Sequence, residues 1–327
     1  MTGLFASRLA ARRGPALADS VRSQLQPPAV TRFAPAPTGD LHLGHVVNAI
    51  YVWGLARALG GKVLLRIEDH DRQRARAEAE RQMLEDLDWL GLTADIYPSE
   101  MYREGACEGR QSERDAIYRR ALAPLADAGL IYGCRCTRAS QTAVDGSLST
   151  SSSQSAERRY AGTCRDLNLP LRDGLGWRLR LAPCTEVFED GLLGPQQQDP
   201  SAQCGDLLLR DRIGNWTYQC VAAIDDAVQG VTLVVRGEDL LSSTGRQIRL
   251  ARLVGRQNQA VFVHHPLIMK SATQKLSKSD GDSGIRDLRS AGWSAPQVLG
   301  HAAALAGLMP APDAVAAEDL RRLFLAE

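Results

Sequence analysis

The spacing of apolar positions changes several times along the chain, and each change marks an element. Val30 to Ala34 is a short apolar-rich run ending in the Pro/Gly loop Pro35 to Gly39, which predicts a strand feeding a loop. From Gly44 to about Leu59, Val47, Ile50, Tyr51 and Ala58 recur on one face, predicting a helix that Gly60 and Gly61 terminate. Lys62 to Ile67 is apolar enough for a parallel strand buried on both faces. Ala75 to Leu90 returns to helical spacing through Met83, Leu84, Leu87 and Leu90. Strand, helix, strand, helix is the alternation of an α/β domain with a parallel sheet.

The alternation then breaks. Ser112 to Gly129 has helical spacing, with Pro124 predicting a kink or an early stop. Cys134 to Cys164 encloses a Ser-rich stretch around Ser147 to Ser155. Trp177 to Leu181 alternates like a strand, and Leu207 to Arg210 with Trp216 to Cys220 predicts a hairpin around Asp211 to Asn215. The α/β alternation resumes with a strand at Val231 to Val235, a helix at Ser242 to Val254 and a strand at Val261 to His264. We therefore divide the chain into an N-terminal extension (1–30), the first half of a Rossmann-type domain (31–97), an α+β insertion (98–205), the second half of that domain (206–269), and a loop followed by short Ala/Leu-rich helices (270–327). No internal repeat is visible.

Composition adds exclusions. The formal net charge is +1, so no global positive field announces a nucleic acid, and any RNA contact must come from local basic patches. No apolar run approaches a bilayer span. Seven cysteines, three of them clustered, favour metal binding in a reducing compartment over a disulfide framework, so a cytoplasmic location is expected. Residues 1–30 carry Arg8, Arg12, Arg13 and Arg22 against the single acid Asp19. That is how transit peptides read, but we expect a dispensable extension before the catalytic part.

Two segments carry candidate chemistry. In Pro37 to His45, His42 and His45 flank Gly44 where a loop becomes a helix. A helix N-terminus offers unpaired N–H groups and a positive dipole end to a phosphate. The histidines can donate to phosphate oxygens, and glycine permits close approach. In Lys275-Leu276-Ser277-Lys278-Ser279, two cations three residues apart sit near Gly281 and Gly284, as a loop that brings positive charge onto a reacting triphosphate would require. Alone, the first reads as surface histidines near a helix cap and the second as a solvated basic loop.

Together, in this order and far apart, they resemble the HIGH and KMSKS motifs of class I aminoacyl-tRNA synthetases. Arg32-Phe33-Ala34-Pro35-Ala36-Pro37-Thr38-Gly39, Leu65-Arg66-Ile67-Glu68-Asp69 and Val235-Arg236-Gly237-Glu238-Asp239-Leu240-Leu241 look like its glutamyl branch, with support from Trp89 to Leu92 and Gln111 to Arg114. The resemblance runs from about Thr31 to Ser279. It implies ATP handling by His42, Gly44, His45, Lys275 and Lys278. It also implies a glutamate pocket around Arg32, Phe33, Ala34, Pro35, Ala36, Glu68, Tyr218 and Arg236. The physics agrees: guanidinium groups pair with the two carboxylates of glutamate, Glu68 receives its ammonium, and the Tyr218 hydroxyl donates. The branch usually has Ser where this chain has Ala36, which removes one hydroxyl contact.

Cys134-Arg135-Cys136 and Cys164 can share one tetrahedral zinc. The sequence holds no His between His70 and His264, so a local fourth ligand is an acid such as Asp166 or Glu157, a Tyr, or water. Resemblance to the glutamyl-queuosine branch, where C-x-C is followed by Y-x3-C, implies Tyr160 and a structural site. That branch implies a monomeric ligase that lacks the anticodon-binding half of glutamyl-tRNA synthetases. It would activate L-glutamate with ATP and Mg2+ without tRNA, then transfer it to queuosine at the wobble position of tRNA(Asp). Three other readings are a shortened glutamyl-tRNA synthetase charging a 3′ end, a non-catalytic zinc protein that binds RNA, and a small-molecule nucleotidyltransferase on the same fold.

Overall fold

The computed structural model describes residues 14–137, 159–268 and 284–326. Helix α1 (Gly14–Gln24) is followed by β1 (Val30–Phe33), α2 (Leu43–Ala58), β2 (Lys62–Leu65), α3 (Ala77–Trp89) and the short α4 (Ser99–Arg103). Then come α5 (Asp115–Asp127), β3 (Ile131–Cys134), β4 (Gly176–Leu179), β5 (Glu186–Asp190), β6 (Gly194–Gln198), α6 (Pro200–Cys204) and β7 (Leu207–Arg210). The remainder is α7 (Tyr218–Val228), β8 (Leu233–Gly237), α8 (Thr244–Leu253), β9 (Val261–His265), α9 (Ile285–Ser290), α10 (Ala295–Leu305) and a 3-10 segment, Ala317–Phe324.

The central sheet has two parts. β1 and β2 pair in parallel from Val30 opposite Lys62 to Phe33 opposite Leu65. β8 and β9 pair in parallel, β5 joins β9 in parallel at Asp190 opposite Phe262, and β6 closes the edge antiparallel to β5. The parts meet between β1 and β8, where the Thr232 N–H donates to the Val30 carbonyl at 2.8 Å. Farther along that seam the Arg32 guanidinium donates to the Val235 carbonyl at 3.0 Å. A separate antiparallel sheet, in the order β3-β4-β7, forms a second layer with its own core around Tyr118, Leu122, Leu209 and Ile224.

The sequence-predicted α/β core is present, with four corrections. The main sheet is mixed rather than purely parallel, because the β5–β6 hairpin, placed in the insertion by sequence, belongs to it. Its face misleads: Glu186 and Asp190 point inward beside Phe188 while Val187 is 64% exposed, so burial there does not follow polarity. The predicted hairpin survives only at its base, where Trp216 bridges Arg210 antiparallel across Asp211 to Asn215 and the Thr217 N–H donates to the Leu209 carbonyl at 2.9 Å; from Tyr218 the chain is α7, where Cys220, Val221 and Ile224 fit a helical face as well as a strand. β7 pairs with β4. Pro124 does not end α5 early, because it lies in the last turn, where only one intrahelical bond is at stake.

The fourth correction concerns the extension. Leu17, Ala18 and Val21 of α1 are buried in the main core, and a Cβ on Gly14 would lie 1.7 Å from the Leu323 carbonyl oxygen. Helix α1 thus clamps the 3-10 segment, which also packs on α2, with the Phe324 ring filling the space beside Gly54. This part of the extension is integral to the domain that presents the His42–His45 segment. Leu17→Ala is therefore expected to cost about 2–5 kcal/mol of stability. A urea midpoint equal to the wild type's would show that α1 does not contribute to the core.

Candidate active site and metal-binding cluster

At the carboxyl ends of β1 and β8 lies a cavity of about 370 Å³, lined by Arg32, Phe33, Ala34, Pro35, His42, Gly44, His45, Glu68, Tyr218 and Arg236 together with Asn48, Asp239, His265 and the segment Leu267 and Ile268. This is where open α/β sheets bind ligands. Of the sequence-predicted pocket residues in the described segments, only Ala36 does not line it. Lys275 and Lys278 lie outside the described residues.

The His-x-Gly-His segment caps α2 through its own side chains. His42 Nδ1 accepts from the Gly44 N–H, and His45 Nδ1 accepts from the His42 N–H, both at 3.1 Å. With Nδ1 accepting in both rings, the neutral tautomer carries its proton on Nε2, which makes each ring a donor. Gly44 matters for this arrangement too, since a Cβ there would stand 2.8 Å from the His42 ring.

Arg236, at the end of β8, is 4% exposed. It donates to His264 Nε2 (3.0 Å), the Tyr218 hydroxyl (3.3 Å), Gln247 Oε1 (2.6 Å) and Thr244 Oγ1 (2.7 Å). All four partners are uncharged, and among the described residues Arg236 forms no ion pair. A buried cation held this way is short of negative charge, which an incoming carboxylate supplies.

Arg32 is held differently. Its Nε donates to Asp226 at 3.1 Å. Arg66, fully buried, reaches the same carboxylate at 2.6 Å, and the neighbouring Asp225 binds Arg114 at 2.7 Å, Gln111 at 2.8 Å and Tyr118 at 3.0 Å. Burial alone would raise the Asp226 pKa, but Arg32 and Arg66 outweigh it and leave it lowered. Glu68, half-buried just past β2, is raised by burial, an effect that His70, Arg66 and Arg32 oppose. His265 stacks on Tyr51 with ring centroids 5.0 Å apart and meets Asn48 at 3.0 Å, and burial pushes it down to about 4. Sequence reading missed Asn48, Asp226, Asp239, His264, His265, Thr244 and Gln247. The His264-His265-Pro266 run at a strand end was the available signal.

In the second layer, the thiols of Cys134, Cys136 and Cys164 lie within 4.8 Å of one another. The Cys136 and Cys164 sulfurs are 3.5 Å apart, and the Tyr160 hydroxyl oxygen stands 3.5 Å from Cys134 Sγ and 3.9 Å from Cys136 Sγ. Ligands about 2.0–2.3 Å from a tetrahedral ion are separated by about 3.5–3.8 Å, so the donor set fits such an ion. The Cys164 N–H donates to the Tyr160 oxygen at 2.8 Å, and the Arg178 guanidinium lies 3.7 Å from the Tyr160 ring centre while its Nε approaches Cys134 Sγ at 3.4 Å. A cation there offsets the negative charge that deprotonated ligands bring.

A Rossmann-type sheet with a His-x-Gly-His helix cap and a cationic pocket at its carboxyl edge defines a class I tRNA synthetase. The family model for "tRNA synthetases class I (E and Q), catalytic domain" matches residues 28–314. A glutamyl-Q tRNA(Asp) synthetase of Symbiobacterium thermophilum is 42% identical over 301 residues, covering 90% of this chain and 91% of the relative. One from Bordetella bronchiseptica is 45% identical over 254 residues, covering 77% and 75%. The crystal structure of a glutamate-tRNA synthetase from Elizabethkingia anophelis superposes with a TM-score of 0.73 at 25% identity, covering 92% of this chain, which spans 66% of that one. The chain belongs to the glutamyl-Q tRNA(Asp) synthetase family and is a ligase of the aminoacyl-tRNA synthetase type. Among the described residues, no helix is long and apolar enough to cross a membrane.

The cysteine cluster yields a direct test. Purified under reducing conditions with metal supplied, the protein should carry about one tightly held ion per chain, and Cys136→Ser should lose most of it. Equal metal content in the two proteins would remove the cluster as the site.

Proposed function

We propose that the chain activates L-glutamate with Mg2+-bound ATP to glutamyl-adenylate without tRNA, then transfers glutamate to queuosine at the wobble position of tRNA(Asp). The observation that carries the activation step is the buried Arg236 guanidinium with only uncharged partners. In this reading Arg236 and Arg32 take the glutamate carboxylates, Tyr218 donates from its hydroxyl, and Glu68 receives the ammonium. Phe33, Ala34 and Pro35 shape the wall. His42 and His45 face the phosphates at the N-terminus of α2, with Gly44 between them, and the sequence assigns Lys275 and Lys278 to the same charge. The glutamate carboxylate is itself the nucleophile, so the residues position and stabilise charge and need not abstract a proton. Zinc is the ion that three thiolates and a phenolate suit. With four protein ligands it has no open position for a substrate, so Cys134, Cys136, Tyr160 and Cys164 serve the fold of the second layer.

The queuosine acceptor is supported by what the relatives at 42% and 45% identity are called, set against 25% identity to a synthetase that charges ordinary tRNA. An unstacked loop base is the kind of RNA target a protein reaches without opening a helix.

Pyrophosphate exchange into ATP should proceed with glutamate, not with glutamine, in the absence of tRNA. Exchange that responds to glutamine and not to glutamate would overturn the pocket assignment. A tRNA(Asp) carrying queuosine and blocked only at its 3′ end should accept glutamate. If the blocked tRNA is inert while unmodified tRNA(Glu) is charged, the chain is a 3′-end charging enzyme.

Glu68 sets a pH dependence. Its pKa is raised in the folded protein, so its charged form, which the ammonium needs, is lost on acidification from above the ordinary carboxylate range. The KM for glutamate should therefore rise as pH falls through that window while the KM for ATP stays level. In Glu68→Gln the KM should be high at every pH. The same acid limb in both proteins would assign it to another group.

A further inference from the structure

Asp190 lies on β5, in the hairpin that sequence reading assigned to the insertion, yet its carboxylate is 0% exposed and sits behind the pocket. One oxygen, Oδ1, accepts from the Leu192 and Leu193 N–H groups at 3.0 and 2.9 Å. The other, Oδ2, lies 2.6 Å from His264 Nδ1. The opposite ring atom, His264 Nε2, receives Arg236 Nε at 3.0 Å and lies 3.1 Å from the Thr244 hydroxyl, which itself accepts from Arg236 Nη2. A carboxylate can only accept, and a guanidinium can only donate. The ring between them therefore has one consistent state, neutral, with the proton on Nδ1 and a lone pair on Nε2. Burial, which lowers the His264 pKa, favours the same state.

We propose that Asp190 and His264 are positioning residues for amino-acid recognition: the carboxylate fixes the imidazole tautomer, and the imidazole aims the Arg236 guanidinium at the substrate carboxylate. The inference rests on the assignment of Arg236 to glutamate. The device explains why a residue of the β5–β6 hairpin is buried beneath a pocket that it does not line. It also explains how Arg236 is steered without being neutralised. A carboxylate in direct contact would hold the guanidinium equally well but would compete with the substrate. A neutral imidazole fixes direction and leaves the charge available. Gln198 of the same hairpin completes the support. It accepts from the Gly245 N–H at 2.8 Å and donates to the Leu241 carbonyl at 2.8 Å, which anchors the N-terminus of α8, where Thr244 and Gln247 reach Arg236.

Asp190→Asn tests the device specifically. The two backbone N–H groups hold the amide oxygen at the Oδ1 position, so the amide nitrogen, a donor, must face His264 Nδ1. The imidazole then carries its proton on Nε2, where it confronts the Arg236 N–H. Loss of one hydrogen bond to a charged group is expected to raise the KM for glutamate on the order of 10- to 100-fold. The KM for ATP and the circular dichroism spectrum should stay close to wild type, and discrimination against glutamine should narrow. An unchanged glutamate KM, or equal rises for glutamate and ATP, overturns the proposal.

A second measurement needs neither the variant nor activity. Nitrogen-15 spectra of histidine-labelled wild-type protein, with His264 assigned by His264→Gln, should show the proton on Nδ1. A proton on Nε2, or an imidazolium at neutral pH, overturns the proposal. If wild-type protein shows the Nδ1 tautomer but no glutamate-dependent exchange, the glutamate reading fails and the positioning role falls with it. If exchange is present and the tautomer is wrong, only the positioning role falls.

Discussion

Two adjacent carboxylates on one buried helical turn, Asp225 and Asp226 of α7, are the constraint around which the catalytic domain is assembled. Each must be neutralised where it stands, because an unpaired buried charge costs about 3–5 kcal/mol. The cations come from three places in the sequence. Arg32 arrives on β1, Arg66 just after β2, and Arg114 just before α5. Satisfying the pair therefore draws together the seam of the main sheet, its second strand and the start of the second layer. Gln111, which also binds Asp225, passes the contact on to His70 at 2.6 Å, beside the loop that carries Glu68. A requirement of charge balance thus becomes a requirement of shape.

The pocket above this network depends on the opposite condition. Arg32 is largely committed to Asp226, whereas Arg236 has rigid support and no counter-charge among the described residues. One arginine serves the architecture while lining the site, and the other is kept electrostatically unsatisfied. The two stand on adjacent strands across one seam, and what separates them is which neighbour carries the acid. A site meant for a dicarboxylate with an ammonium group needs such unevenness, since a uniformly neutralised pocket would hold water as well as it holds glutamate.

Much of this was legible in the chain. The α/β alternation follows from apolar spacing and turn residues, while the capping histidines and the residues of the pocket wall came from the resemblance of short motifs to the glutamyl branch. What escaped notice has a common cause. The β5–β6 hairpin hides its burial because Glu186 and Asp190 face inward and Val187 faces out. Polarity along a strand reports burial only when buried positions are apolar, and these are buried to serve other side chains. The partners of Arg236 come from α7, α8 and β9, whose proximity is set by the sheet order. Tyr218 was placed on a strand but starts α7 on the pocket wall, since an aromatic in a short apolar run fits both periods. Helix α1 was undervalued because the arginines of residues 1–30 outweighed three buried positions, Leu17, Ala18 and Val21.

The shared neutralisation of Asp225 and Asp226 also bears on how such a chain can change over generations. Five ionised groups from four separate segments share one buried network, so a single substitution at any of them leaves a buried partner short of a charged contact that no neighbour can replace. Replacement of Arg114 becomes tolerable only after Asp225 has lost its charge, and loss of Asp225 first strands Arg114. Either order passes through a poorly folded ancestor. These positions should accordingly drift as a block or stay fixed, while the loops around them accumulate changes one at a time.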